Sequence, residues 1–128
     1  PTRRSSDLKQ TNILEEEKII YSKRYGYIGK LDLIIDFLKG KKYLVEIKDT
    51  NKIHSKDMIR TAAYAKAYQE EMGEEIEGRI IIKSNKETIY LDEENDSIES
   101  DFNAFLSYFY LYGWTKQAKK KLKNLKNN

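Results

Sequence analysis

Three residues raise a chemical question before any other: Asp32, Glu46 and Lys48. Asp32 lies in an apolar, β-branched run. Glu46 and Lys48 interrupt a second one, YLVEIKDT, from Tyr43 to Thr50. Burying an unpaired charge costs several kcal/mol even after relaxation, so a strand with two charges on one face either turns that face to solvent or uses it. Side chains alternate along a strand, which puts Glu46 and Lys48 on one face with Leu44, and Asp32 on one face with Ile34 and Asp36. Two carboxylates within a few ångströms repel, and one must keep its proton unless a cation is present. A hard divalent ion such as Mg²⁺, or Mn²⁺ in its place, meets that need through oxygen ligands. A lysine beside the ion can orient or deprotonate a water and stabilise charge developing on a phosphate. Hydrolysis of a phosphodiester by an activated water needs this set of groups. Spacing alone favours a half-exposed hairpin with a surface Glu–Lys pair, worth about 0–1 kcal/mol.

The elements that would position these groups can be read from the hydrophobic pattern. Ile13 to Tyr21 predicts a strand, Ser22 to Gly26 a polar turn and Tyr27 to Leu38 a second strand rich in β-branched and aromatic residues. KGKK predicts a hairpin turn, and Tyr43 to Lys48 the third strand. If Asp32 pairs with Lys48, the turn centres on Gly40 with a three-residue loop, Lys39-Gly40-Lys41. Asp32, Glu46 and Lys48 then converge, whereas a slip of one residue would part them. Asp36 shares the face but lies nearer the turn and is read as solvent-facing. Ser55 is the expected N-cap of a helix that stops at Gly73. RIIIK (Arg79 to Lys83) and ETIYL (Glu87 to Leu91) predict two more strands. A last helix is expected from Ser97 or Ser100, with Phe102, Phe105, Leu106, Phe109 and Tyr112 as a stripe facing the sheet. The order β-β-β-α-β-β-α predicts an α/β fold, a mixed β-sheet flanked by helices.

The bulk properties bound the class. At 128 residues the chain suits one domain with a single core. Charged residues are 35% and hydrophobic ones 39%, and no apolar run approaches the roughly 18 residues of a membrane span. The absence of Cys excludes disulfides, thiolate zinc sites and iron–sulfur clusters. Net charge is +3 but uneven: six acids and no base fall between Asp92 and Asp101, and six lysines and no acid between Trp114 and Asn128. The basic end reads either as a solvated helix or as a contact for phosphates. Residues 1–8, PTRRSSDL, match the translation of a common sequencing-adapter string, so natural sequence is expected to begin near Lys9. On that expectation the chain is a metagenomic fragment, with a domain over 9–114 and a basic tail over 115–128.

YSKRYGYIGKLDLIIDFLKGKKYLVEIKDT followed by MIRTAAYAKAYQEEMG resembles the PD-(D/E)XK nuclease superfamily, and within it the RecB-like and phage-type exonuclease branch. The matching motifs are Gly29-Lys30-Leu31-Asp32 on the second strand and Glu46-Ile47-Lys48 on the third. The resemblance implies a restriction-endonuclease-like core, with Asp32 and Glu46 binding Mg²⁺ or Mn²⁺, the Ile47 carbonyl as a further ligand, and Lys48 assisting the water. Glu17 is the positional match for a further acid, with Glu15 and Glu16 as competitors. The branch often carries Gln-x-x-x-Tyr on the following helix; here Arg60 stands in the Gln position and Tyr64 matches the Tyr. Arg60 is thus a candidate phosphate contact or an exposed flank residue. Lys30, Tyr64 and His54 are the other candidate nucleic-acid contacts, although a lone loop His is more often simply solvated. Tyr25 and Tyr27 are expected to pack more than to stack on bases. The branch's first helix has no counterpart after Lys9, which the resemblance reads as a missing element. The expectation is therefore a metal-dependent DNA nuclease, exonuclease-like, of recombination, repair or phage replication. It would act in the cytoplasm of a bacterial or phage-infected cell, with no membrane partner and with an oligomer left open. The second class is a non-catalytic nucleic-acid-binding domain on the same fold. A third is an interaction module whose charged hairpin faces solvent.

Overall fold

A computed structural model describes residues 12–37, 40–50, 52–85, 87–93 and 95–126; residues 1–8 and the turn residue Lys39 lie outside them. The strands are β1 (Asn12–Ser22), β2 (Tyr27–Phe37), β3 (Lys41–Lys48), β4 (Gly78–Lys83) and β5 (Thr88–Asp92), and the helices are α1 (Ser55–Met72) and α2 (Asn95–Lys126). The five strands form one mixed sheet in the order β1-β2-β3-β4-β5. All neighbours are antiparallel except β3 and β4, which run parallel because α1 carries the chain back between them.

The strand residues divide between two faces, by alternation except in β2, where Leu31 and Ile34 share a face although three residues apart. Ile20, Tyr27, Leu31, Ile34 and Leu44 pack under Ala62, Ala63, Ala65, Ala67 and Tyr68 of α1 and Ile98 and Phe102 of α2. The alanines let α1 lie close to the sheet. Ile35, Phe37, Tyr43, Val45, Ile80 and Ile82 form a second buried cluster on the opposite face. Among the described residues both helices lie on the first face, so the sheet is not flanked on both sides by them. None of these helices is long and apolar enough to cross a membrane.

The structure corrects four expectations. The β2–β3 register pairs Phe37 with Lys41, Ile35 with Tyr43 and Leu33 with Val45, so the turn centres one residue before Gly40 and β3 takes up Lys41 and Lys42. Continued, that register sets Asp32 opposite Glu46 rather than Lys48. The slip moves each pairing by two residues, and a two-residue slip keeps every side chain on its face. Helix α1 starts at Ser55 with His54 as its N-cap, and it stops, as expected, at a left-handed Gly73. Helix α2 begins earlier, at Asn95, with Asp96 in its first turn, where a negative charge meets the positive end of the helix dipole. Finally, Phe102 is buried and Phe105, Leu106 and Phe109 pack on the core, but Tyr112 is exposed. At 32 residues α2 is ~48 Å long and runs past the packed core, which leaves the last position of the stripe uncovered.

Candidate active site

The site forms where β2 and β3 part. The ladder between them is regular from Phe37–Lys41 to Leu33–Val45. Beyond it, the Asp32 carboxylate itself accepts the Ile47 N–H, Oδ2 at 2.8 Å, in place of a backbone carbonyl. On the other flank of β2, Glu17 has a left-handed φ of 44° in β1, between the pairs Lys18–Leu31 and Glu16–Leu33. A non-glycine residue there is uncommon and bends the strand locally. β3 stays paired with β4 on its far side, where the Ser84 N–H bonds the Lys48 carbonyl at 2.9 Å. Successive backbone groups of a strand point to opposite edges, so the Ile47 carbonyl points to the β2 side, toward the gap that Asp32 spans.

Glu46 and Lys48 stand on the face that α1 covers, and two residues of α1 meet them. Glu46 is buried, and its Oε2 accepts from Arg60 Nη2 at 2.5 Å and Nε at 3.1 Å. Arg60 Nη2 also donates to Asp57 Oδ1 at 2.7 Å. Lys48 Nζ donates to Asp57 Oδ2 at 2.5 Å and to the Lys52 carbonyl at 3.2 Å. Asp57 accepts the His54 N–H at 2.8 Å as well. An acid three residues into a helix commonly reaches back to the N-cap in this way. Asp57 is therefore both a helix cap and the anchor of Lys48, whose ammonium keeps one of three N–H donors uncommitted among the described contacts.

Electrostatics follow from burial and these partners. Burial pushes the Glu46 carboxyl above the ordinary glutamate range; Arg60 pulls it back in part, and Asp32 and Asp57 add to the rise. Burial also opposes ionisation of Asp57, but the bonds from Lys48, the His54 N–H and Arg60 outweigh it and hold Asp57 below its usual value. Arg60 is pushed up: its desolvation is more than offset by Glu46 and Asp57. The Tyr64 phenol is raised by burial and then by the Glu46 charge.

These shifts have opposite signs in stability. Asp57, depressed on folding, contributes stability that is present above its unfolded value and is lost as pH falls through its folded one. Glu46, raised on folding, subtracts stability as pH rises from its unfolded value through its folded one. In the metal-free protein, denaturant midpoints measured down the acid range are therefore expected to fall more steeply for the wild type than for Asp57→Asn. Parallel profiles for the two would contradict the assignment.

The other candidates fall around this centre. Tyr64 and Arg60 share a flank of α1, and Tyr64 packs against Gly29: a Cβ at Gly29 would run into its ring. The glycine and the tyrosine that the resemblance picked out separately are thus in contact. Lys30 and Glu17 pair with each other at 3.2 Å on the exposed side of the β1–β2 ladder, and Glu17 is 76% exposed. Among the described contacts neither reaches the Glu46–Asp57 network. Glu15 faces α1, with Tyr68 Oη 3.5 Å from its carboxylate. His54 is exposed and enters through its backbone N–H. Tyr27 is buried with its hydroxyl donating to the Ala63 carbonyl at 2.6 Å, and Tyr25 sets its edge on Phe102. Both pack, as expected.

Asp57 is the member of this network that the sequence hid. The signal was present as an acid in the first turn after a polar loop, but that pattern reads as a cap. Its second job depends on Lys48 lying beneath it.

Asp32, Glu46 and the Ile47 carbonyl form an oxygen-only donor set, the type that Mg²⁺ takes, and Mg²⁺ needs only one or two carboxylates because it keeps several waters. Among the described residues no three His, Cys, Asp or Glu side chains stand ready as ligands, consistent with Asp57 being committed to Lys48 and Arg60. Asp32, Glu46 and Asp57 carry three negative charges against the two positive charges of Lys48 and Arg60. The network therefore retains one negative charge, and the donor set fits a divalent cation. A scan against protein-family models matched none, and a search of curated proteins returned no match.

Proposed function

We propose that the chain is a metal-dependent nuclease that hydrolyses phosphodiester bonds of DNA on a PD-(D/E)XK-type core. The observation that carries this reading is the meeting of Asp32 with the Glu46–Lys48 segment at the point where β2 and β3 separate. Asp32 and Glu46, with the Ile47 carbonyl, would hold Mg²⁺ or Mn²⁺. When bound, the ion supplies Lewis-acid stabilisation of phosphate charge and a more acidic water. The chain's own groups do the rest. The Ile47 N–H fixes the Asp32 carboxylate. Asp57 and the Lys52 carbonyl fix Lys48 Nζ, whose remaining N–H can orient the attacking water or meet a phosphate oxygen. Tyr64 and Arg60 border the same centre from α1. An exonuclease-like role in recombination, repair or phage replication, in the cytoplasm of a bacterial or phage-infected cell, completes the proposal.

The test is incubation of the purified chain with linear and with circular DNA in Mg²⁺ and in EDTA. Loss of full-length DNA in Mg²⁺ alone is the expected result. Intact DNA under Mg²⁺ and Mn²⁺ alike would overturn the enzymatic reading. One observation favours a second reading, a non-catalytic nucleic-acid-binding domain: Glu46 and Asp57 already have Arg60 and Lys48 as ion-pair partners, so both can rest without a metal. DNA binding with no cleavage under any divalent cation would select it.

A further inference from the structure

We infer that the aromatic cleft beside the acidic centre takes one unstacked nucleobase, so that the strand engaged there is single-stranded or frayed. The purpose of the cleft rests on the nuclease reading, but its test does not. The cleft has a volume of about 340 Å³ and is lined by Tyr64, Phe105, Tyr108 and Phe109, with Lys56 and Arg60 among its residues. That is the small end of the roughly 300–1,000 Å³ usual for ligand pockets, room for one planar ring system rather than for duplex. The walls are pre-formed. Phe105 and Phe109 lie nearly parallel, with centroids 5.5 Å apart and planes at 14°. Tyr27 presses edge-on against Phe105 at 4.8 Å, its own hydroxyl fixed on the Ala63 carbonyl.

Two features select a nucleotide over another apolar guest. The cleft pairs aromatic side chains with the exposed cation Lys56, beside the ion-paired Arg60, and an aromatic wall with a cation is the combination that stacks a base and meets its phosphate. Two of its residues, Arg60 and Tyr64, also border the carboxylates, so a base held there keeps its phosphate next to Lys48 and Glu46. A base inside a duplex is covered on both faces by its neighbours and must leave the stack to enter a concave site. The substrate implied is therefore an unpaired end or strand. Tyr108, 56% exposed on α2, is the wall residue that can be changed without touching the core or the acidic network.

Fluorescence anisotropy decides the matter, with a labelled 12-nucleotide single strand and a labelled closed-end hairpin duplex, each in EDTA and in Ca²⁺. The wild type is expected to bind the single strand more tightly than the hairpin. Tyr108→Ala should weaken the single strand about tenfold, the loss of roughly one base stack, while leaving the hairpin unchanged. Tyr108→Trp, which keeps a stacking face, should retain binding. Single-strand affinity unchanged in Tyr108→Ala, a hairpin bound as tightly as the single strand, or no binding of either would overturn the inference. If the expected pattern holds while Mg²⁺ produces no cleavage, the nuclease reading fails and the base site stands.

Discussion

Lys48→Ala is expected to lower Mg²⁺-dependent cleavage of DNA by roughly 10²–10³-fold, the usual loss when one pre-positioned donor to a reacting oxygen is removed. The expectation rests on placement more than on the residue type. Lys48 Nζ is held from two sides, by Asp57 Oδ2 at 2.5 Å and by the Lys52 carbonyl at 3.2 Å, so its third N–H has a fixed direction. The substitution should leave the fold standing, because Asp57 keeps Arg60 and the His54 N–H as partners. A smaller fall is expected for Asp57→Asn, which weakens the hold on Lys48 without removing it. Initial rates on linear duplex, with circular dichroism as the control for folding, check both. A folded Lys48→Ala protein that cuts at the wild-type rate would remove Lys48 from the mechanism.

The largest effect on stability is expected at Arg79. Its side chain is fully buried, and Nη2 donates to Asp92 Oδ2 and to Asp101 Oδ2, each at 2.6 Å. Nη1 donates to the Met58 carbonyl at 2.8 Å. One guanidinium thus joins β4, β5, the second turn of α2 and the α1 segment just before Arg60. Removing one member of a buried ion pair costs about 3–5 kcal/mol, because the remaining charges stay desolvated. A small domain has only about 5–15 kcal/mol in total. Arg79→Met, which keeps most of the aliphatic volume, should therefore bring the chain close to unfolding at room temperature. Buried ion pairs can often be exchanged for apolar groups at little cost, so Arg79→Met combined with Asp92→Leu should regain part of the loss. Urea midpoints of the single and double variants measure this. A single variant within about 1 kcal/mol of wild type would show that the cluster is not a structural tie.

The two cases differ in how much the sequence discloses. Strand periodicity is local, so the five strands and both helices were legible, as was the shared face of Glu46 and Lys48; the break in alternation between Leu31 and Ile34, beside Asp32, was not. The two-residue slip was not legible, because parity is blind to it. Asp57 was hidden by its first role as a cap. The pairing of Arg60 with Glu46 depends on how α1 sits over β3, which no local pattern encodes. The acidic run from Asp92 to Asp101 carries no base of its own, yet Asp92 and Asp101 turn inward to Arg79. What they needed was a buried cation on a strand, and Arg79 opens the run RIIIK looking like an ordinary polar end. In each case the missing information is a contact between distant segments.

The claim at the centre is that Asp32 and Glu46 hold a divalent ion. Crystals of the wild type soaked in Mn²⁺, with anomalous diffraction recorded at the manganese edge, test it most directly. The account predicts one anomalous peak in contact with carboxylate oxygens of both Asp32 and Glu46, and no such peak in Asp32→Asn crystals treated alike. No peak at that position in the wild type, with Arg60 still closed on Glu46, would contradict it.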